Sequence, residues 1–266
     1  RLALVTFIQK FSGGWHQVSG SNLLKTSNQK VNQNTGKADW TKYCSPIQDQ
    51  GNCGSCSAFG TTGIMEAVIR IKDQNPTEDV KLSESDLLLC SGGTCELGNT
   101  MENTFAKAMR GVATEKCQPY QVWYRYCGDG RCDNWWLTGK KINGWQPITD
   151  KAQIKKILDT IGPLVSTMTV HESFLHYQSG VYHNLGSQDA EVGGHAIGIV
   201  GYDDSLGAWR LRNSWNTGWG EQGYCWIAYG DSQVDDQMYQ LLPDGAVAPP
   251  TIWEKIIDFL NHLFRP

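Results

Sequence analysis

The sequence predicts an α+β fold of two lobes, with a helical N-terminal lobe, a β-rich C-terminal lobe and a cleft between them. Three observations lead there. First, the 266 residues carry 40% hydrophobic and only 19% charged side chains, enough to bury a sizeable core. Second, helical periodicity is found before Pro163: from Cys56 to Lys72, Phe59, Ile64, Val68 and Ile71 fall on one stripe. Third, the chain beyond Pro163 breaks into short β-rich runs punctuated by glycine, "PLVSTMTV", "SGVYH", "HAIGIVGYD", "WRLRNSW" and "GYCWIAYG". Helices first and strands later point to segregated lobes, and a cleft between lobes is where a site is expected.

The elements follow in order. Residues 1–38 read as an N-terminal extension or the remnant of a prosegment, with an apolar Leu2–Phe11 and a polar arm from Ser19 to Lys37. The chain starts at Arg1 and not Met, as expected of a processed or trimmed product. Compact structure is expected from Asp39-Trp40 and the body from 39 to 245. After the 56–72 helix, Ser83 is placed to cap a short apolar helix in "KLSESDLLLC". Further helices are expected over Asn103–Met109 and Lys151–Ile161. Residues 246–266 read as a linker and an amphipathic helix, with Ile252, Ile256, Leu260 and Leu263 at helical spacing. Such a helix docks on the body, or contacts a partner or a membrane surface.

Several classes are disfavoured. A net charge of −4 and a pI near 5.9 argue against a nucleic-acid partner. No apolar run reaches the roughly 18–20 residues of a membrane span. Nine cysteines at irregular spacing point to an oxidising compartment, and an odd count leaves at least one thiol unpaired.

The chemistry centres on "QGNCGSCSAF", residues 50–59. Cys53 and Cys56 could be a redox pair, but no strand precedes them as a thioredoxin-like βαβ unit requires. Zinc would need a second pair, for which Cys127 and Cys132 are the candidates; no metal is expected. As a nucleophile, Cys56 is favoured by its place at a helix start, where the dipole and a nearby imidazolium stabilise a thiolate. The base must come from elsewhere. Of six histidines, His195 stands out because "GGHAIGIVGY" puts it where a Gly-Gly pair meets a buried strand. A core histidine bonded to backbone is the alternative there.

"QGNCGSCSAF", "LSESDLLLC", "HAIGIVGY" and "LRNSWNTGWGEQGYCWI" together resemble the papain-like cysteine peptidases, the family of papain and the cathepsins. Weaker matches lie at "CQPY" and "FLHYQSGVY", and the resemblance runs from about Asp39 to the 230s. It implies the two-lobed papain-like fold and a cysteine endopeptidase. Cys56 resembles the nucleophile, and His195 the base and later the proton donor. Asn213 resembles the amide that orients the imidazole, Trp215 the ring that shields it, and Gln50 the oxyanion-hole donor acting with the Cys56 N–H. The resemblance pairs Cys53 with Cys95 and Cys90 with Cys127. Two further bridges, Cys117–Cys132 and Cys44–Cys225, would complete the count. It implies no cofactor, protein or peptide substrates, a prosegment or protein inhibitor as partner, and a secreted or lysosome-like location.

The chain departs from the family pattern at several points. Ser57 stands where Trp usually follows the nucleophile, Leu97 where a Gly is usual, Asn216 after Asn-Ser-Trp, and Gly194 before the base. Gly98 matches the glycine whose backbone pairs with substrate. Thr167, Ala196 and Gly98 match a subsite of small residues. Ser57 and Leu97 define a rival, a papain-like pseudoenzyme acting as a binding module. A C-x-x-C oxidoreductase leaves Gln50, His195 and Asn213 without a role.

Overall fold

The computed structural model describes residues 36–246, with side chains through Leu242. The N-terminal arm up to residue 35 and the expected C-terminal helix lie outside the described residues. Strand β1 (Lys37–Asp39) opens the body. Helices α1 (Cys56–Lys72), α2 (Glu84–Cys90) and α3 (Met101–Arg110) follow. Then come β2 (Lys140–Ile148), α4 (Lys151–Thr160), β3 (Leu164–His171), α5 (Glu172–Leu175) and β4 (Val181–Tyr182). Strands β5 (Glu191–Asp203), β6 (Ala208–Arg212), β7 (Tyr224–Ala228) and β8 (Met238–Ala246) complete the sheet.

Local chemistry sets the boundaries. The Ser83 hydroxyl accepts from the Asp86 N–H at 3.0 Å, so α2 starts where the sequence placed its cap. Thr100 caps α3 through the Asn103 N–H, which begins the helix two residues earlier than its apolar pattern suggests. Asp150 caps α4 through the Gln153 N–H at 2.7 Å.

The strands form one sheet in the order β2-β8-β3-β5-β6-β7-β4, with β1 also pairing with β5. Every β-rich run beyond Pro163 contributes a strand. Strands β2 and β8 were not expected. Pro, Gly, Asn and Lys in β2 hide it, yet β2 is at the end of the sheet, where Pro147 removes no interior hydrogen bond.

The sheet separates two hydrophobic clusters. One joins α1, α2 and α3 to one sheet face through Ile64, Leu87, Phe105, Val165 and Val200. The other packs α4 and α5 on strands through Leu158, Phe174, Ile197, Ile199 and Trp209. Along β5, Ala196 and Val200 face the first cluster and Ile197 and Ile199 the second. Burial on both faces explains why "HAIGIV" is apolar without alternation.

Cys53–Cys95, Cys90–Cys127 and Cys117–Cys132 are disulfides. The expected Cys44–Cys225 bridge is absent, and both residues are free thiols. Successive strand side chains point to opposite faces. Tyr224 turns toward Cys44, its hydrogen-bond partner, so the neighbouring Cys225 turns away into the second cluster.

Candidate active site

Cys56 is the first residue of α1. Two glycines bring it into place. A Cβ on Gly54 would lie 3.0 Å from the Cys95 carbonyl oxygen and the Gly98 nitrogen, so only glycine lets the nucleophile loop press on the 95–98 loop. A Cβ on Gly60 would meet the Ile197 nitrogen at 3.3 Å, so this glycine lets α1 lie close against β5. The contact carries the start of α1 to the His195 end of β5.

There the Cys56 thiol is hydrogen-bonded to the His195 ring and receives the backbone N–H groups of Ala196 and Ser57. Burial is the largest influence on this thiol and opposes ionisation. The His195 bond and charge, with the two N–H donors, outweigh it and hold the pKa below the usual 9.0. The other free thiols shift the opposite way. Burial pushes Cys44 up to about 11 and raises Cys225 as well. Among three free thiols, Cys56 alone is poised to ionise.

The tautomer of His195 follows from its neighbour. The Asn213 Oδ1 accepts the Ser214 N–H at 2.8 Å, which fixes the oxygen of that amide. The same oxygen lies 2.8 Å from His195 Nε2, so Nε2 carries the proton and donates it. Nδ1 is left for the thiol. Trp215 stacks on the imidazole at 4.7 Å between centroids and is itself held by Phe174 and Trp219. An amide orients the ring without adding a fixed charge to trap its proton.

Gln50 is buried and bonded to the loop that precedes the nucleophile. Its Nε2 donates to the Cys53 carbonyl at 2.8 Å, and its Oε1 accepts from the Ser214 hydroxyl at 2.6 Å. An amide NH₂ has two hydrogens, so one remains for the cleft. The Gln50 backbone N–H also donates to the Ser214 carbonyl at 2.9 Å. Ser214 and Asn213 thus tie Gln50 and His195 to the same turn.

The residues expected to line the substrate are placed less evenly. Thr167 and Ala196 are Cα partners across β3 and β5, one residue from His195, with Gly194 two rungs from Ala196. Gly98 has a left-handed φ of 68°, and its N–H donates to the Thr94 carbonyl at 2.8 Å. That N–H is therefore engaged within the loop, and the Gly98 carbonyl keeps a free lone pair. Leu97 projects from this loop and is 88% exposed. Ser57 is buried, and its hydroxyl has no hydrogen-bond partner.

The sequence reading did not single out Ser214, Tyr120 or Ser55. Tyr120 reaches the Gln50 carbonyl and the Ser55 hydroxyl. The "CQPY" match was the available signal, but a tyrosine in a loop shows no partner until the chain folds.

Comparison with known proteins gives matches over the body of the chain. The profile of the papain family cysteine proteases matches residues 35–242. The chain is 33% identical over 204 residues to a cathepsin L-like proteinase of Fasciola hepatica, covering 72% of this chain and 60% of that protein. It is 35% identical over 205 residues to a cathepsin L-like peptidase of Aedes aegypti, covering 71% and 58%. The chain thus spans about 60% of the length of these curated relatives. Among solved structures, a digestive procathepsin L 3 of Tenebrio molitor larval midgut superposes with a TM-score of 0.67 at 25% identity, over 81% of this chain and 71% of that one. A procathepsin B S9 from Trypanosoma congolense shares the fold, with a TM-score of 0.69 at 21% identity, over 79% and 78%.

Proposed function

Given that the chain belongs to the papain family of cysteine proteases, we propose that it is a cysteine endopeptidase with Cys56, His195, Asn213 and Gln50 as its catalytic residues. The observation that carries this is the continuous Cys56–His195–Asn213 array, with the one depressed thiol of the three that are free. Cys56 gives its proton to His195 Nδ1, and the thiolate attacks the scissile carbonyl carbon. Negative charge moves to the carbonyl oxygen, where the Gln50 amide and the Cys56 N–H receive it. Collapse of this intermediate breaks the C–N bond as His195 protonates the leaving amine, and a thioester remains. His195 then takes a proton from water, whose oxygen attacks the thioester. A second collapse releases the acid, and the proton returns to the sulfur.

Substrate backbone is held by the Gly98 carbonyl. Thr167 and Ala196 line a small-residue subsite, with Gly194 and Leu97 at its margins and Trp215 shielding the ring. The substrates are proteins or peptides. A prosegment occupies the cleft before activation, in keeping with the procathepsin fold. Three disulfides fit a secreted or lysosome-like location.

Hydrolysis of a fluorogenic peptide under mild reductant tests the reaction. Cys56→Ala abolishes turnover and keeps all three bridges; residual hydrolysis would mean another nucleophile. Iodoacetamide labels Cys56 ahead of Cys44 and Cys225. The depressed thiol ionises, and so reacts, at lower pH than the other two. His195→Ala removes that selectivity.

A further inference from the structure

The two expected oxyanion donors sit on different pieces of chain, and one side chain ties them together. Gln50 supplies its side-chain amide from an extended segment. The second donor, the Cys56 N–H, belongs to the peptide group that Ser55 and Cys56 share at the start of α1. The Tyr120 hydroxyl donates to the Gln50 carbonyl at 2.8 Å and lies 2.7 Å from the Ser55 hydroxyl. A phenol has one hydrogen, so the bond to Gln50 uses it and Ser55 donates to the phenol oxygen. Ser55 is fully buried, and Gln50 is 8% exposed.

Tyr120 is itself held from two sides. Its backbone N–H donates to Glu115 Oε1 at 2.9 Å, and its ring meets Phe59 of α1 edge-on at 4.8 Å. Burial pushes the phenol up to about 12, so it keeps its hydrogen at neutral and acidic pH. The hydroxyl is thereby a fixed point between two loops whose spacing sets where the oxyanion is received.

We propose that Tyr120 is a positioning residue for the oxyanion hole, holding Gln50 and the Ser55–Cys56 peptide in register through one phenol oxygen. This rests on the peptidase reading above. Oxyanion stabilisation depends on donors placed at hydrogen-bond distance from the developing charge, and small displacements are costly. Tyr120 touches no reacting atom, so its removal acts through the two donors.

The test uses the full chain with Tyr120→Phe, Gln50→Ala and the double variant, measuring kcat, KM and the pH profile of Cys56 alkylation. Gln50→Ala lowers kcat by about 10²–10³-fold, as loss of an oxyanion donor does. Tyr120→Phe lowers kcat by about tenfold, less than outright loss of a donor, with KM and the alkylation profile unchanged. In the Gln50→Ala background the Tyr120→Phe effect shrinks, because one of the two donors it holds in register has gone. Wild-type kcat in Tyr120→Phe beside an impaired Gln50→Ala overturns the proposal alone. So does an equal tenfold loss in both backgrounds, or alkylation that falls with kcat, since either marks a general structural role. Full activity in Gln50→Ala removes the oxyanion reading and the proposal with it. Should Tyr120→Phe not fold, Ser55→Ala cuts one of the two bonds, and the same comparison of backgrounds decides.

Discussion

The helical region, residues 41–139, and the sheet region, residues 164–242, are held together by different means. All three disulfides lie between residues 53 and 132. The most deeply buried ion pairs are there too: Asp86 with Lys107 and Arg131, and Glu66 and Glu84 with Lys81. The sheet region has no disulfide among its described residues. It is filled by rings instead, with Phe174 touching Tyr177, Tyr182, Trp215 and Trp219. The difference teaches where chain entropy is the larger burden. Strands pair their backbone groups in ladders that order many residues at once. The stretch from Gly111 to Gly139 holds a single short helical turn, so covalent links must order what regular structure does not.

The largest expected effect breaks that contrast directly. Replacing Cys90 and Cys127 together by Ala opens a loop of 37 residues, at a cost of about 4 kcal/mol by chain entropy. Urea melts with limited proteolysis check it, and cleavage should appear first within residues 112–139. Cys225→Ala in the sheet region costs about 1 kcal/mol. Equal costs would erase the distinction. Phe174→Ala comes next, at about 3 kcal/mol, read as a lower urea midpoint. It should also weaken peptide turnover, because Phe174 supports Trp215 over His195.

pH sharpens the comparison. Burial raises Glu84 and Glu115 above the ordinary 4.5 despite the opposing pull of Lys81. The folded state holds these protons more tightly than the unfolded chain. Their contribution is complete below 4.5 and declines as pH rises through the folded values. Asp86 is opposite. Burial opposes its ionisation, but Lys107 and Arg131 prevail and lower its pKa, so its contribution is lost only as pH falls below 3.8 toward its folded value. In the sheet region, bonds from Ser205 and Lys155 lower Asp203 and Asp204. Rising pH should therefore loosen the helical region first, seen as faster amide exchange in α2 than in β5. Glu115→Gln should flatten that rise; an unchanged slope would exclude Glu115 as a source. The smallest effect is Lys155→Ala, which removes a partly exposed pair with Asp204 and shifts stability by about 0.5 kcal/mol at most.

Part of the candidate site was legible from local pattern: a thiol at a helix start beside glycines and a histidine entering a buried strand are short-range signals that carry their own chemistry. Asn213, Trp215 and Gln50 were read only through the resemblance to the papain-like peptidases, because an amide or a ring shows no role until its partner is beside it. Strand β2 was illegible because its polar, proline-bearing sequence is tolerated only at a sheet edge. The Cys44–Cys225 pairing failed because counting thiols says nothing about which side of the sheet each occupies.

By itself, the sequence determined the segregation of helices from strands, the cap that starts α2, and the residue types the chemistry needs. Tertiary structure decided which thiols are held above and which below the ordinary value, which nitrogen of His195 is left for Cys56, and that Tyr120 spans Gln50 and Ser55. The reason is physical: a pKa, a tautomer and a hydrogen-bond partner depend on atoms brought within a few ångströms of one another from positions far apart in the chain.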